Sequence, residues 1–108
     1  MVYNCLRAIK ELTKSNYGLL NISSIKPLNV KSLISKLKNY NKVITVEDHS
    51  VEGGLGSIIS EVIAENNLNI KLKNHGLKNG FIDSDIPDNL EKQYSMDVKS
   101  LKKIFSNF

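Results

Sequence analysis

The stretch KVITVEDHSVEGGLGSIISEVIAE, residues 42–65, decides the fold of this chain. It begins with residues 43–46, a short and largely apolar run rich in β-branched residues, which favours a strand buried on both faces. Residues 47–52 are polar and are predicted to form a turn, and the glycine-rich residues 53–56 then lead into a helix. The apolar residues of this helix recur at i, i+3, i+4, i+7 and i+8 and form one stripe; they are Leu55, Ile58, Ile59, Val62 and Ile63. A strand, a glycine turn and an amphipathic helix make half of a βαβ unit.

The length and composition of the chain indicate one globular domain over residues 1–108. The hydrophobic share of 41% and the charged share of 24% are typical of such domains. The net charge of +4 comes from lysines spread along the chain without interleaved aromatic residues. A solvated lysine surface is therefore favoured over a nucleic-acid partner. No apolar run approaches the ~18 residues that would predict a membrane span.

Cys5 is the only cysteine, which excludes an internal disulfide and a metal cluster built on thiolates. The sequence also has no recognisable signal peptide. Both features indicate a reducing compartment, and we expect a cytoplasmic location. Cys5 falls in an apolar band of the first predicted helix, which favours a buried and unreactive thiol.

Outside the central stretch, helices and strands alternate along the chain. Helices are predicted over residues 1–15, after a cap at Asn29, over the short segment 88–94, and after a cap at Asp97. Strands are predicted over residues 19–25 and 68–72, and residues 74–88 have the composition of a loop. This order is typical of an open parallel α/β sheet. The first helix has neither a capping residue nor a leading loop, so we expect the domain to be incomplete at its N-terminus.

The glycine turn and the acidic residues before it form the main candidate site. Free N–H groups at a helix N-terminus could hold a phosphate. The glycine spacing, however, matches neither the dinucleotide fingerprint nor the P-loop, and the neighbouring carboxylates would repel an anion. Close strand–helix packing with one glycine at positive φ is the favoured interpretation. The residues of this structural or interface turn are Glu47, Asp48, His49, Glu52, Gly53, Gly54 and Gly56.

Neither a catalytic constellation nor a metal site is predicted. His49 could serve as a general base beside Glu47 or Asp48. It could also share a metal with His75, but no third ligand is evident. A structural or partner-facing role is favoured for both histidines.

The stretch VITVEDHSVEGGLGSIISEVIAE, residues 43–65, resembles the C-terminal domain of transketolase. In that family a strand ends in an acidic pair and a histidine, and Glu-Gly-Gly-(Leu/Ile)-Gly opens a helix. Segments further along are also similar: SIKPLN at residues 24–29, NHGLKNGF at 74–81 and LEKQY at 90–94. Two positions depart from the family, since Asp85 and Ser95 stand where it has glycines. Both departures affect the expected shape of the late loops, not the fold.

The resemblance implies a three-layer α/β/α domain with a mostly parallel five-stranded sheet, here lacking the first strand or strands. Family members carry a strand before the first helix. We expect either that another chain supplies this strand or that the strands on both sides of the gap close together, because unpaired buried backbone groups are costly.

The resemblance also implies a function. Transketolases are transferases of the pentose phosphate pathway that move a two-carbon ketol unit between sugar phosphates. They use thiamine diphosphate and a divalent metal, Mg or Ca, held by the two preceding domains. No catalytic, cofactor-binding or metal-binding residue is therefore expected here. The expected role is domain packing and dimer or subunit assembly, as a segment or split subunit that is inactive alone.

The expected partners are the remaining transketolase domains or a separate thiamine-binding subunit, in a homo- or hetero-oligomer. No nucleic acid or membrane is expected. Three alternatives stay open. The chain could be the C-terminal part of a 2-oxoacid dehydrogenase beta subunit, the C-terminal part of deoxyxylulose-phosphate synthase, or a stand-alone module that binds a small anion at residues 53–56.

Overall fold

The computed structural model describes residues 2–12, 16–23, 27–50, 53–77 and 94–108, without the side chains of residues 49, 50 and 77. The helices and strands, numbered in chain order, are α1 (Val2–Glu11), α2 (Val30–Leu37), β1 (Lys42–Ser50), α3 (Leu55–Glu65), β2 (Lys71–Leu77) and α4 (Val98–Ser106). They belong to two compact units: one is Ile22–Lys78, and the other combines Met1–Asn21 with Asn79–Phe108. A single domain over residues 1–108 stays a prediction.

The unit Ile22–Lys78 is built on a parallel pair of strands. β1 pairs with β2 in a register that places Val43 opposite Leu72 and Thr45 opposite Asn74, and the pairing shifts between Val46 and Ser50. α3 connects the two strands, because parallel neighbours require a crossover. The predicted α/β class with parallel pairing is thus present as one βαβ unit.

The core of this unit lies between α2, α3 and the sheet. Leu33 and Leu37 come from α2, and Ile59 and Val62 come from α3; all four side chains are buried. The partly buried residues packed against them are Ile22, Leu28, Ile34, Val43, Leu55, Ile63, Ile70 and Leu72. Burial of each large aliphatic side chain contributes about 1.5–3 kcal/mol, so the apolar stripes of the two helices account for much of this unit's stability.

The second unit packs α1 against α4. Cys5 and Ala8 of α1 are buried, as are Leu101 and Phe105 of α4. The Asn4 amide donates a hydrogen bond to the Met96 carbonyl at 3.0 Å. Cys5 is 4% exposed, and burial raises the pKa of its thiol. The predicted burial of Cys5 is confirmed, and its low reactivity stays a prediction.

Both predicted helix caps are confirmed. The Asn29 side chain accepts a hydrogen bond from Ser32 N at 3.1 Å, and the Asp97 carboxylate accepts one from Ser100 N at 3.2 Å. Each satisfies an N–H group that has no partner within the helix. None of the described helices is long and apolar enough to cross a membrane.

Several predicted boundaries are wrong. β1 continues through Ser50, so residues 47–50 are strand rather than turn. β2 begins at Lys71 and extends to Leu77, so residues 68–70 are not strand, and residues 74–77 are strand rather than loop. Before β2 the backbone bonds locally, because the Leu68 N–H donates to the Ile63 carbonyl at the end of α3 at 3.0 Å and the Ile70 N–H donates to the Leu68 carbonyl at 3.0 Å. α1 ends at Glu11, and residues 13–15 lie outside the described residues.

The predicted strand over residues 19–25 is not formed at residues 19–23, which have no regular secondary structure. Leu19 and Leu20 are 42% and 43% exposed, whereas Ile22 packs against the core. A strand needs a neighbour to satisfy its backbone, and the strands of the described residues, β1 and β2, pair only with each other. The described part of the chain thus holds two of the five strands that the resemblance implies. Of the helix predicted over residues 88–94, only Tyr94 is described, in a turn.

Ser95 has a backbone conformation that normally requires glycine. Its φ is +58°, and L-residues pay roughly 1–2 kcal/mol in this left-handed region. We expect Ser95→Gly to raise the free energy of unfolding by about 0.5–1 kcal/mol, after subtraction of the larger entropy that glycine has in the unfolded chain. Urea denaturation followed by circular dichroism measures the change.

The matched control for this substitution is Asn67→Gly. Asn67 has φ +51° at the end of α3, but asparagine tolerates this conformation. A smaller gain is expected there. A loss of stability in Ser95→Gly would show that the serine side chain contributes more than its backbone strain costs.

Candidate functional site

The Glu47 carboxylate closes the N-terminus of α3. One carboxylate oxygen accepts a hydrogen bond from Leu55 N at 3.1 Å, and the other accepts one from Gly56 N at 2.9 Å. Gly54, the N-cap residue, provides no side-chain hydrogen bond. The first N–H groups of a helix lack partners within the helix and carry positive partial charge. Glu47, which is 7% exposed, therefore serves as the cap from β1.

Two glycines allow the chain to pass from β1 into α3. Gly53 has φ +70°, a conformation that glycine adopts without a steric penalty. Gly56 lies against β2, where a Cβ atom would stand 2.5 Å from Cγ of Asn74. These are the positive φ and the close strand–helix approach that the sequence predicted for the turn.

A hydrogen bond between the two strands holds Asn74 in place against Gly56. The Thr45 hydroxyl donates to the Asn74 side-chain oxygen at 2.9 Å, and Thr45 is 5% exposed. We call the set formed by Thr45, Glu47, residues 53–56 and Asn74 the β1–α3 junction. The sequence reasoning missed Thr45 and Asn74, because the signal that unites them is the β1–β2 register, which local patterns do not reveal.

The remaining candidate residues are only partly described. Asp48 is exposed in β1, and Gly54 is the N-cap of α3. His49 belongs to β1, but its side chain lies outside the described residues, as does the whole of Glu52. His75 is half-buried in β2 opposite Val46. Their role as a structural or interface turn, and the roles of both histidines, stay predictions.

Within the described residues the junction offers little to an external ligand. The Leu55 and Gly56 amides, which would hold a phosphate, already bond to Glu47, and its charge would oppose a second anion. No three His, Cys, Asp or Glu residues of the described ranges are grouped so that they could hold a metal ion. The geometry thus favours a structural junction over an anion-binding turn.

We expect no binding of inorganic phosphate, pyrophosphate or a nucleoside diphosphate by the purified chain in isothermal titration calorimetry. The helix donors that these anions need are occupied by the buried carboxylate of Glu47. The Glu47→Gln variant removes the repelling charge and is the matched control. Phosphate binding by the unchanged chain that is lost on substitution at Gly53 would contradict the structural interpretation.

Comparison with known proteins identifies the family. The model of the family described as transketolase, C-terminal domain, matches residues 1–101. The chain belongs to this family. The resemblance seen in residues 43–65 and the predicted fold class are both confirmed.

Named relatives include separate transketolase sections and subunits. A transketolase C-terminal section of Methanocaldococcus jannaschii is 42% identical over 85 residues, which cover 79% of this chain and 26% of that protein. An apulose-4-phosphate transketolase subunit from Actinobacillus succinogenes is 36% identical over 81 residues, covering 73% of this chain and 26% of that protein. The 1-deoxy-D-xylulose-5-phosphate synthase of Halothermothrix orenii is 35% identical over 103 residues, covering 93% of this chain and 16% of the synthase.

A solved structure shares the fold. A split-gene transketolase, described as an inactive beta4 tetramer, matches 98% of this chain with a TM-score of 0.82 and 26% identity. The match covers 35% of that protein's chain. This chain thus spans about a third or less of the length of each of these relatives and of the solved split-gene transketolase.

Proposed function

We propose that this chain is a non-catalytic C-terminal segment or split subunit of a transketolase-type enzyme, which transfers a two-carbon ketol unit between sugar phosphates. The observation that carries the proposal is the family match across residues 1–101. The β1–α3 junction supports the non-catalytic role. Its buried carboxylate, Glu47, caps a helix, and the Asn74 side chain lies in the space that a Cβ atom at Gly56 would need.

The proposed partner is the rest of a transketolase, either as further domains or as a separate thiamine-binding subunit. Relatives named as a section and as a subunit support a role within a larger assembly, and the split-gene structure is of a tetramer. A homo- or hetero-oligomer, domain packing as the role of this chain, and a cytoplasmic location are part of the same proposal.

Thiamine diphosphate and a divalent metal, Mg²⁺ or Ca²⁺, are assigned in this proposal to the partner. The described residues of this chain do not fit either group. The amides at the start of α3 bond to Glu47, and no grouped carboxylates or histidines are positioned to hold a cation in the described ranges. Thiamine diphosphate supplies the carbanion chemistry of ketol transfer when it is bound, and the proposal assigns none of the described residues of this chain to that step.

A second candidate is the corresponding part of 1-deoxy-D-xylulose-5-phosphate synthase. The observation that favours it is the match to the Halothermothrix orenii synthase, which covers 93% of this chain, whereas the match to the archaeal transketolase section covers 79%. The higher identity of the transketolase section, 42% against 35%, and the split-gene structure favour the transketolase interpretation.

Co-purification with an activity assay tests the proposal. The tagged chain is co-expressed with the open reading frames next to its gene, and ketol transfer between sugar phosphates is measured with added thiamine diphosphate and Mg²⁺. We expect activity only when a thiamine-binding chain co-purifies. Ketol transfer by the purified 108-residue chain alone would overturn the non-catalytic role, and deoxyxylulose phosphate formation by the complex would establish the second candidate instead.

A further inference from the structure

We draw no further inference here: the strongest candidate, the exposed apolar face of α1 formed by Val2, Tyr3 and Leu6, carries nothing because nothing in the structure shows what covers it.

Discussion

Replacing Glu47 by alanine is expected to lower the free energy of unfolding by about 3 kcal/mol, through loss of two charge-assisted hydrogen bonds. Both oxygens of this buried carboxylate accept backbone N–H groups of α3. Alanine leaves the Leu55 and Gly56 amides without these acceptors and removes the negative charge from the positive end of the helix. Urea denaturation followed by far-ultraviolet circular dichroism measures the loss.

A graded series keeps this prediction testable if the alanine variant does not fold. Glu47→Gln preserves the shape and one acceptor oxygen, while its NH₂ group faces the second helix amide. We expect a loss of about half that of alanine. Glu61→Gln is the control, because Glu61 is an exposed carboxylate of α3, and a change within about 0.5 kcal/mol is expected. Equal losses at Glu47 and Glu61 would contradict the capping role.

The described helices could be predicted from sequence, apart from the end of α1, because their determinants are local. The stripe from Leu55 to Ile63 is a property of consecutive turns, and α3 begins at Leu55 as the glycines before it indicate. The Asn29 and Asp97 caps act on N–H groups three residues away. Such contacts can be predicted from the local sequence, without knowledge of the rest of the fold.

The strands could not be delimited in the same way, because their limits depend on distant partners. Glu47 is a charged residue of the kind that predicts a turn, yet its carboxylate accepts hydrogen bonds from helix amides eight and nine positions later. The contact of Asn74 with Gly56 and its bond to Thr45 depend on the register of β1 and β2. Residues 19–23 show the opposite error, because their alternating pattern predicts a strand that is not formed. A strand needs a neighbour to pair with, and no strand of the described residues provides one.

The sequence directs attention to the segment before α3, but the chemistry of that segment depends on geometry that the sequence does not give. The acidic residues and glycines pointed to the turn before α3. Sequence alone left open whether the helix amides were available to an anion. The decisive fact is that the carboxylate of Glu47 bonds to the helix rather than lying beside it.

Replacing Gly56 by alanine is expected to lower the free energy of unfolding by about 1 kcal/mol, because the added methyl group displaces the exposed Asn74 side chain from its hydrogen bond. Its Cβ atom would stand 2.5 Å from Cγ and 2.7 Å from the side-chain oxygen of Asn74. To escape, the Asn74 side chain must rotate and give up its bond to the buried Thr45 hydroxyl. An exposed helix glycine replaced by alanine normally gains up to about 1 kcal/mol, so the sign of the measured change separates the two effects.

A double-mutant cycle shows whether Asn74 is the cause. Asn74→Gly alone removes the acceptor of Thr45 and is expected to cost about 1 kcal/mol. In the combined Gly56→Ala, Asn74→Gly variant the added methyl group no longer meets the Asn74 side chain, so the combined loss should be clearly smaller than the sum of the single losses. Additive losses would show that the methyl group collides with another part of the structure. Because Asn74 belongs to β2 and Gly56 to α3, strong coupling between them would demonstrate in solution the strand–helix contact on which the β1–α3 junction depends.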